Sequence, residues 1–326
     1  VSARAGTWVA DADSSGVRLD RFLAERMPGQ SRSQIQNWIR QGHATVDGAA
    51  VKTGHRVREG ERVTLELPPP PEPGLFPEAI PLDILFEDDD LVVLNKPAGL
   101  VCHSGAGVRS GTLVNALLHH LGTLEAGDPE RPGIVHRLDK MTSGVMLAAK
   151  NPSAHRALSD QFKNREVRKH YVALVHSSPR APRATITSGI GRDPRNRKRM
   201  SSRARHRRPA ITHYEVREDF GFAALLEVRI ETGRTHQIRV HLAESGHPVV
   251  GDAVYGGNRT ADLPPAVVPA AAGLGRPFLH SARLELAHPR SGAPLSFAAP
   301  LPGELERFLS LVRKERRPGK GRREIA

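Results

Sequence analysis

Nine residues, HRLDKMTSG from His136 to Gly144, set one carboxylate, Asp139, among three potential cations, His136, Arg137 and Lys140. An ionised carboxylate held out of bulk water can attack an electron-poor carbon, take a proton or steady a developing positive charge. Neighbouring cations lower a carboxylate's pKa and burial raises it, so the surroundings decide which state the acid holds. Residues adjacent in a turn need not point at one another, and on this stretch alone a solvated ion pair serves equally well. Two further stretches supply residue types that would complete a site. ETGRTHQIRVHL (231–242) reads as a tight turn at Thr232 and Gly233, a helix N-cap at Thr235, and a short helix over 236–244 that Gly246 stops. His236 and Arg239, three apart, share one face of that helix. Ile238 and Leu242, four apart, lie on another, which the core would take. Arg239 is therefore free to turn toward a cleft. Lys169, His170 and Tyr171 fall on a strand whose alternation places Tyr171, Ala173 and Val175 on one side. A tyrosine so placed can stack on a base and offer its hydroxyl.

The elements that must hold these groups follow from periodicity and turn signals. Asp139 is expected on a connection between a short apolar strand (134–135) and a buried strand (145–149), at a sheet edge where functional groups concentrate. Asn151 then caps a helix with Pro152 at its first position, running to about Lys163. Residues 84–86, 91–94, 167–175 and 222–230 read as further strands and 112–120 as a helix. Many strands with few helices indicate an α+β domain around a mostly antiparallel sheet, spanning 78–312. Before it, 17–75 reads as a small basic module. Leu19, Phe22 and Leu23 give one helical stripe. Ser31 caps a second helix with the stripe Ile35, Trp38, Ile39, and short strands follow. PPPPEPG (68–74) reads as an extended spacer between the two. The end, 313–326, is a basic tail expected to be disordered beyond about Arg316.

The chain has 326 residues and a formal charge of +13, which favours a polyanionic partner, nucleic acid before anionic membrane. GRDPRNRKRMSSRARHRR (191–208) holds nine Lys or Arg against one acid, Asp193. So dense a run repels itself, and it reads as a loop that orders on RNA through Arg192, Arg195, Arg197, Lys198 and Arg199. Arg32 and Arg40, off the stripe of their helix, could meet phosphate; a solvated face serves as well for either one. GAGVRSG (105–111) lacks the glycine spacing of a dinucleotide loop. No histidine spacing suits a metal, and a single cysteine, Cys102, excludes an internal disulfide and a Cys-rich zinc site. No apolar run is long enough to span a membrane and no signal core is seen near the N-terminus, so a cytoplasmic protein is expected.

The order of VRLDRFLAE, SRSQIQNWIRQG and HATVDG resembles the S4 RNA-binding domain, which implies a module that docks structured RNA. HRLDKMTSG, KHY and GRTHQIRVHL, in this order and spacing, resemble the RluA/RluD-type family of RNA pseudouridine synthases. NKPAGLVCHSGAGVRSGTLVNALLHH (95–120), IGRDPRNRKRMS (190–201), GHPVVGDAVYGG (246–257) and LHSARLELAHP (279–289) agree with that resemblance. It implies an α+β catalytic fold with a mixed, largely antiparallel sheet crossed by a cleft, with no metal and no organic cofactor; a monomer is expected, though the sequence leaves oligomeric state open. It also implies roles: Asp139 as the catalytic aspartate, Arg239 as its partner, Tyr171 stacked on the target base, Arg137 entering the RNA stack where the base has left, and Ile238 in an apolar wall. The reaction breaks a uridine's C1′–N1 bond, turns the base and joins C5 to C1′. Attack at C1′, proton removal at C2′ and addition to the uracil ring are all open to a carboxylate. The expected substrate is structured RNA, large-subunit (23S) ribosomal RNA first, with transfer RNA and a non-catalytic RNA-binding or ribosome-assembly role as alternatives.

Overall fold

The computed structural model describes residues 6–28, 30–66, 75–105, 108–196, 199–257 and 259–316. The proline spacer 68–74 and the end of the basic tail lie outside the described residues, apart from 313–316. Two compact units divide the chain at residues 73 and 74.

In the first unit, strand β1 (Gly6–Val9) precedes helices α1 (Leu19–Arg26) and α2 (Arg32–Arg40), then strands β2 (Ala44–Val46), β3 (Ala49–Ala50) and β4 (Arg62–Leu65). The strands form one antiparallel sheet in the order β1-β4-β2-β3. β1 lies ahead of residue 17, where the helical pattern starts. Its four residues are too short a run for alternation to announce a strand, and pairing with β4 makes it one. Asp47 and Gly48 both take positive φ, as the tight β2–β3 hairpin needs. Leu19, Phe22, Leu23, Ile35 and Ile39 meet Val46, Val63 and Leu65 in a core of their own, with Trp38 partly buried against it. Ser31 caps α2, accepting the Gln34 N–H.

The second unit opens with β5 (Ile84–Glu87), β6 (Leu91–Lys96) and α3 (Leu113–Leu121), whose Thr112 and Asn115 form a reciprocal capping box. β7 (Ser143–Ala149) leads into α4 (Pro152–Asn164), capped by Asn151. There follow β8 (Arg168–His176), β9 (Arg183–Arg192), β10 (Met200–Ser201), β11 (Arg208–Asp219), β12 (Ala223–Ile230) and α5 (Gln237–Glu244). The unit ends with α6 (Val268–Gly273), β13 (Leu279–Ala287), β14 (Pro294–Ala298) and α7 (Gly303–Lys314). One sheet runs β10-β9-β11-β12-β8-β13-β7-β6-β5, with β14 beside β13. Among the described residues the β13–β7 pair alone of this sheet's strand pairs is parallel, so the sheet is mixed and largely antiparallel. Residues 91–94 and 145–149 are solvent-free on both faces, as continuous apolar strands in a covered sheet should be.

Three local expectations change. Residues 134–135 are not a strand; Ile134 closes a turn onto Arg131 and the connection to β7 is irregular. The stretch 191–208 is not a plain loop. Arg192 pairs with Met200 and Gly191 with Ser201 in a β9–β10 ribbon, and Asp193 Oδ1 accepts the N–H groups of Arg195 and Asn196 at its turn. The first residues of the basic tail belong to α7, where Arg313 pairs with Glu218.

Among the described residues β7 and β13 pair as strands at Ser143–His280 and Gly144–Ser281. A Cβ on Gly144, at φ +114°, would lie 2.2 Å from the Ser281 carbonyl oxygen. Neither backbone can yield without losing that pair. Gly144→Ala is therefore expected to destabilise by about 2–4 kcal/mol, overpacking and left-handed strain together, read as a shift in the urea midpoint. A shift under about 0.5 kcal/mol would show that the close approach is relieved.

Candidate active site

Leu138 is buried and its carbonyl accepts the Cys102 thiol at 3.2 Å, so the chain is anchored one residue before Asp139. One residue after, the Lys140 carbonyl accepts the Gly99 N–H and the Lys96 ammonium, at 2.8 and 3.2 Å. Lys96 is wholly buried and donates also to the carbonyls of Pro97 and Leu100. Burial is the largest influence on it and brings its pKa down to about 8. Anchors on both sides leave Asp139 projecting into a cleft of about 540 Å³.

On the far wall α5 presents Arg239, 7% exposed. Its Nη1 donates to Asp139 Oδ2 at 3.2 Å, across a hundred residues of sequence. Its Nε and Nη2 form a fork onto both oxygens of Asp252, at 2.6 and 2.9 Å. Burial works against the guanidinium's charge, but the carboxylates of Asp252 and Asp139 outweigh it and raise its pKa. Asp252 is a member of the site that sequence reasoning missed. A carboxylate inside VVGDAVYG, among residues that bury, is the signal that could have found it, because a buried acid needs a cation. His236 Nε2 lies 4.0 Å from Asp139 Oδ2, and its Nδ1 meets the Tyr255 hydroxyl at 2.8 Å. His236, at φ +56°, is itself the N-cap residue of α5, in place of Thr235. The helix is fixed instead by side chains further on. Gln237 accepts from the Thr232 hydroxyl and the Arg234 N–H and donates to the Ile211 carbonyl and the Thr212 hydroxyl. His241 bridges Thr212 on β11 and Ser188 on β9.

Tyr171, on β8 between Val228 of β12 and Ser281 of β13, is 6% exposed and lines the cleft. Burial first, and the Asp139 charge after it, raise its pKa, so the phenol keeps its proton. Ile238 is buried in the same lining. Arg137 is exposed, 3.3 Å from His103 Nε2. His136 faces inward: its Nε2 accepts the Leu147 N–H at 3.0 Å and its ring stacks on Phe162. An imidazole thus takes the place of a strand carbonyl on β7's free side, which is why 134–135 need not be a strand. Burial, with the Lys169 charge second, pushes His136 down to about 3 from 6.5. A histidine lowered in this way binds more protons unfolded than folded, so stability is full above pH 6.5 and declines as the pH falls toward 3. His136→Leu should remove that part of the decline while costing about 1–3 kcal/mol at pH 7 for the orphaned N–H. Urea titrations of both proteins from pH 7 to 4 would show it.

Eight Lys and Arg side chains line the cleft against two carboxylates, Asp139 and Glu231, which suits a polyanion. Arg192 and Arg195 are exposed on the β9–β10 ribbon and Arg199 is half-buried there; Arg197 and Lys198 lie outside the described residues. In the first unit Arg40 is exposed and bonds its own helix. Arg32 is tied to Asp20, whose side chain is fully buried. Burial pushes the Asp20 carboxyl up, but hydrogen bonds from Arg18, Gln36 and Arg32 outweigh it and hold it at about 2.

This arrangement can be set beside known proteins. An uncharacterized RNA pseudouridine synthase of Chlorobaculum parvum is 44% identical over 309 residues, 91% of this chain and 94% of its own. The chain belongs to the RNA pseudouridine synthases. The profile of the family described as RNA pseudouridylate synthase matches residues 90–244, which hold Asp139, Tyr171 and Arg239, and that of the S4 domain matches 17–63. The Ribosomal large subunit pseudouridine synthase D of Xanthomonas campestris is 42% identical over 94% of this chain and 92% of its own. Among solved structures, Human RNA Pseudouridylate Synthase Domain Containing 4 aligns with a TM-score of 0.55 at 28% identity, over 71% of this chain and 93% of that one. This pseudouridine synthase is thus an isomerase of RNA, of the RluA family, with an N-terminal S4 domain. Among its described residues no helix is long and apolar enough to cross a membrane.

Proposed function

We propose that this enzyme converts uridine to pseudouridine in large-subunit ribosomal RNA, with Asp139 as the reacting carboxylate. The observation that carries the chemistry is the Arg239–Asp139 contact inside a cation-lined cleft: a carboxylate poorly exposed to water needs a fixed counter-charge to act ionised. The relatives named for the large ribosomal subunit support that substrate. The target uridine leaves its stack at a cost of roughly a few kcal/mol. Arg137, exposed at the cleft, is suited to fill the gap it leaves, and Tyr171 gives the detached uracil a flat surface that keeps it in the site.

The test is pseudouridine mapping of total RNA from cells with the gene, without it, and with the Asp139→Asn form restored. Loss of one or more sites in 23S RNA, unrestored by the variant, is the expected result. Sites lost only from transfer RNA would move the substrate, and an unchanged map would refute the proposal. The β9–β10 ribbon should add to the salt dependence of binding, with a log–log slope of about −0.7 per single-strand phosphate neutralised. Neutralising Arg192, Arg195 and Arg199 together would flatten that slope if they meet RNA.

A further inference from the structure

Tyr255 does not line the cleft, yet it touches both the ribbon and the groups around Asp139. Its hydroxyl takes the Met200 N–H at 2.8 Å and meets His236 Nδ1 at 2.8 Å. A backbone N–H can only donate, so the phenolic oxygen accepts there and keeps its own hydrogen to give to Nδ1. With Nδ1 accepting, the imidazole hydrogen sits on Nε2, the nitrogen that faces Asp139 at 4.0 Å. The phenol ring has the Arg239 guanidinium at 5.0 Å from its centroid and that of Arg199 at 5.1 Å, both within cation–π range. Its own N–H donates to Asp252 Oδ1, on the carboxylate that grips Arg239. Arg199 and Met200 are consecutive on the ribbon, and Arg199 Nε is buried with no hydrogen-bond partner among the described residues.

We propose that Tyr255 is a positioning residue that links the arginine-bearing β9–β10 ribbon to Asp139, so that seating the ribbon on RNA orients His236 and Arg239 against the carboxylate. The inference rests on Asp139 being the reacting group. Arg239 already bonds Asp139, whereas His236 stands just beyond hydrogen-bond reach of it. Movement of Met200 on RNA binding is passed through the phenol hydroxyl to the imidazole and closes that gap, giving the carboxylate its second donor. Donors long in the free enzyme and tight in the complex are common at active sites. The ribbon thereby does two jobs, holding RNA and completing the site only when RNA is held.

The test uses the full chain and a structured RNA carrying the target uridine, in single turnover at saturating RNA. Tyr255→Phe keeps the ring beneath both guanidiniums and removes the hydroxyl. It should slow the reaction by about ten- to a hundredfold, the scale of a slightly misplaced group, with RNA affinity within about twofold. His236→Gln should slow it similarly, and the double variant should be little slower than either single. Arg199→Gln should slow the wild type at saturating RNA and slow Tyr255→Phe much less. An unchanged rate in Tyr255→Phe, a loss confined to affinity, or multiplying losses in the double variants would overturn the proposal. If Tyr255→Phe does not fold, the Arg199→Gln and His236→Gln cycle asks the same question, with independent losses counting against the link. Asp139→Asn separates the two levels. Turnover persisting there defeats the assignment of Asp139, whereas a dead Asp139→Asn beside a fully active Tyr255→Phe defeats this inference alone.

Discussion

Asp139→Asn is expected to bind target RNA within about twofold of the wild type and to form pseudouridine at least about a thousandfold more slowly, about 4 kcal/mol of barrier. The substitution is isosteric and should leave the site standing. Arg239 keeps its fork on Asp252, and the amide oxygen can still accept from Nη1. The anchors on either side, Cys102 to Leu138 and Lys96 to Lys140, involve backbone atoms and are untouched. What disappears is the negative charge and the nucleophilic or basic oxygen, which every route open to the carboxylate requires. Release of the C5 hydrogen from labelled uridine measures the rate, and filter binding the affinity. Turnover within about tenfold of wild type would exclude Asp139 from the chemistry.

Arg239→Leu has the second large effect, and on two scales. It strands Asp252, whose side chain is fully buried, with backbone N–H groups from Val254 and Tyr255 as its remaining donors. Removing one partner of a buried ion pair costs about 3–5 kcal/mol, because the other charge is left uncompensated. It also strips Asp139 of its counter-charge. Adding Asp252→Leu removes the stranded charge, so the double variant should recover much of the stability, as apolar replacements of buried pairs often do. Turnover should not return with it. Arg239→Lys should fail too, since one ammonium cannot repeat a fork plus a third bond in fixed directions. Denaturant titration and single-turnover rates on the four proteins check this. A stability loss under about 1 kcal/mol for Arg239→Leu would show that water or another cation replaces the guanidinium.

Strands and helices with a clear period were legible in the sequence, as were the capped starts of α2 and α4. These depend on neighbours within a turn. Asp139, Tyr171 and Arg239 were legible as candidates because motif order tied together residues far apart, and the fold brings Arg239 onto Asp139 and places Tyr171 in the same cleft lining. Asp252 and Tyr255 were present in a quoted motif without a role. Their importance lies in partners thirteen and nineteen residues away across a turn, which no periodicity encodes. His136 illustrates the same limit. Read as a cation beside Asp139, it is a neutral acceptor for the backbone of β7, with its ring stacked on Phe162. The expected strand at 134–135 is absent, and the expected loop at 191–208 is tied at its base by two strand pairs. Side chains supply hydrogen bonds to β7 that a strand would have supplied, and ribbon pairing organises the arginines before any polyanion arrives.

The short parallel contact between β7 and β13 has a consequence for synthesis. In the sheet, β13 lies between β8, which carries Tyr171, and β7, which follows Asp139. Its partners are 137 residues apart in sequence, so this pairing is slow to form and waits on the emergence of residues near 281 from the ribosome. The first unit, complete by residue 73, can fold long before that. A growing chain therefore has its S4 domain in place while its candidate site residues still lack a common sheet, and a chain cut short before β13 would be an RNA ligand without an assembled cleft.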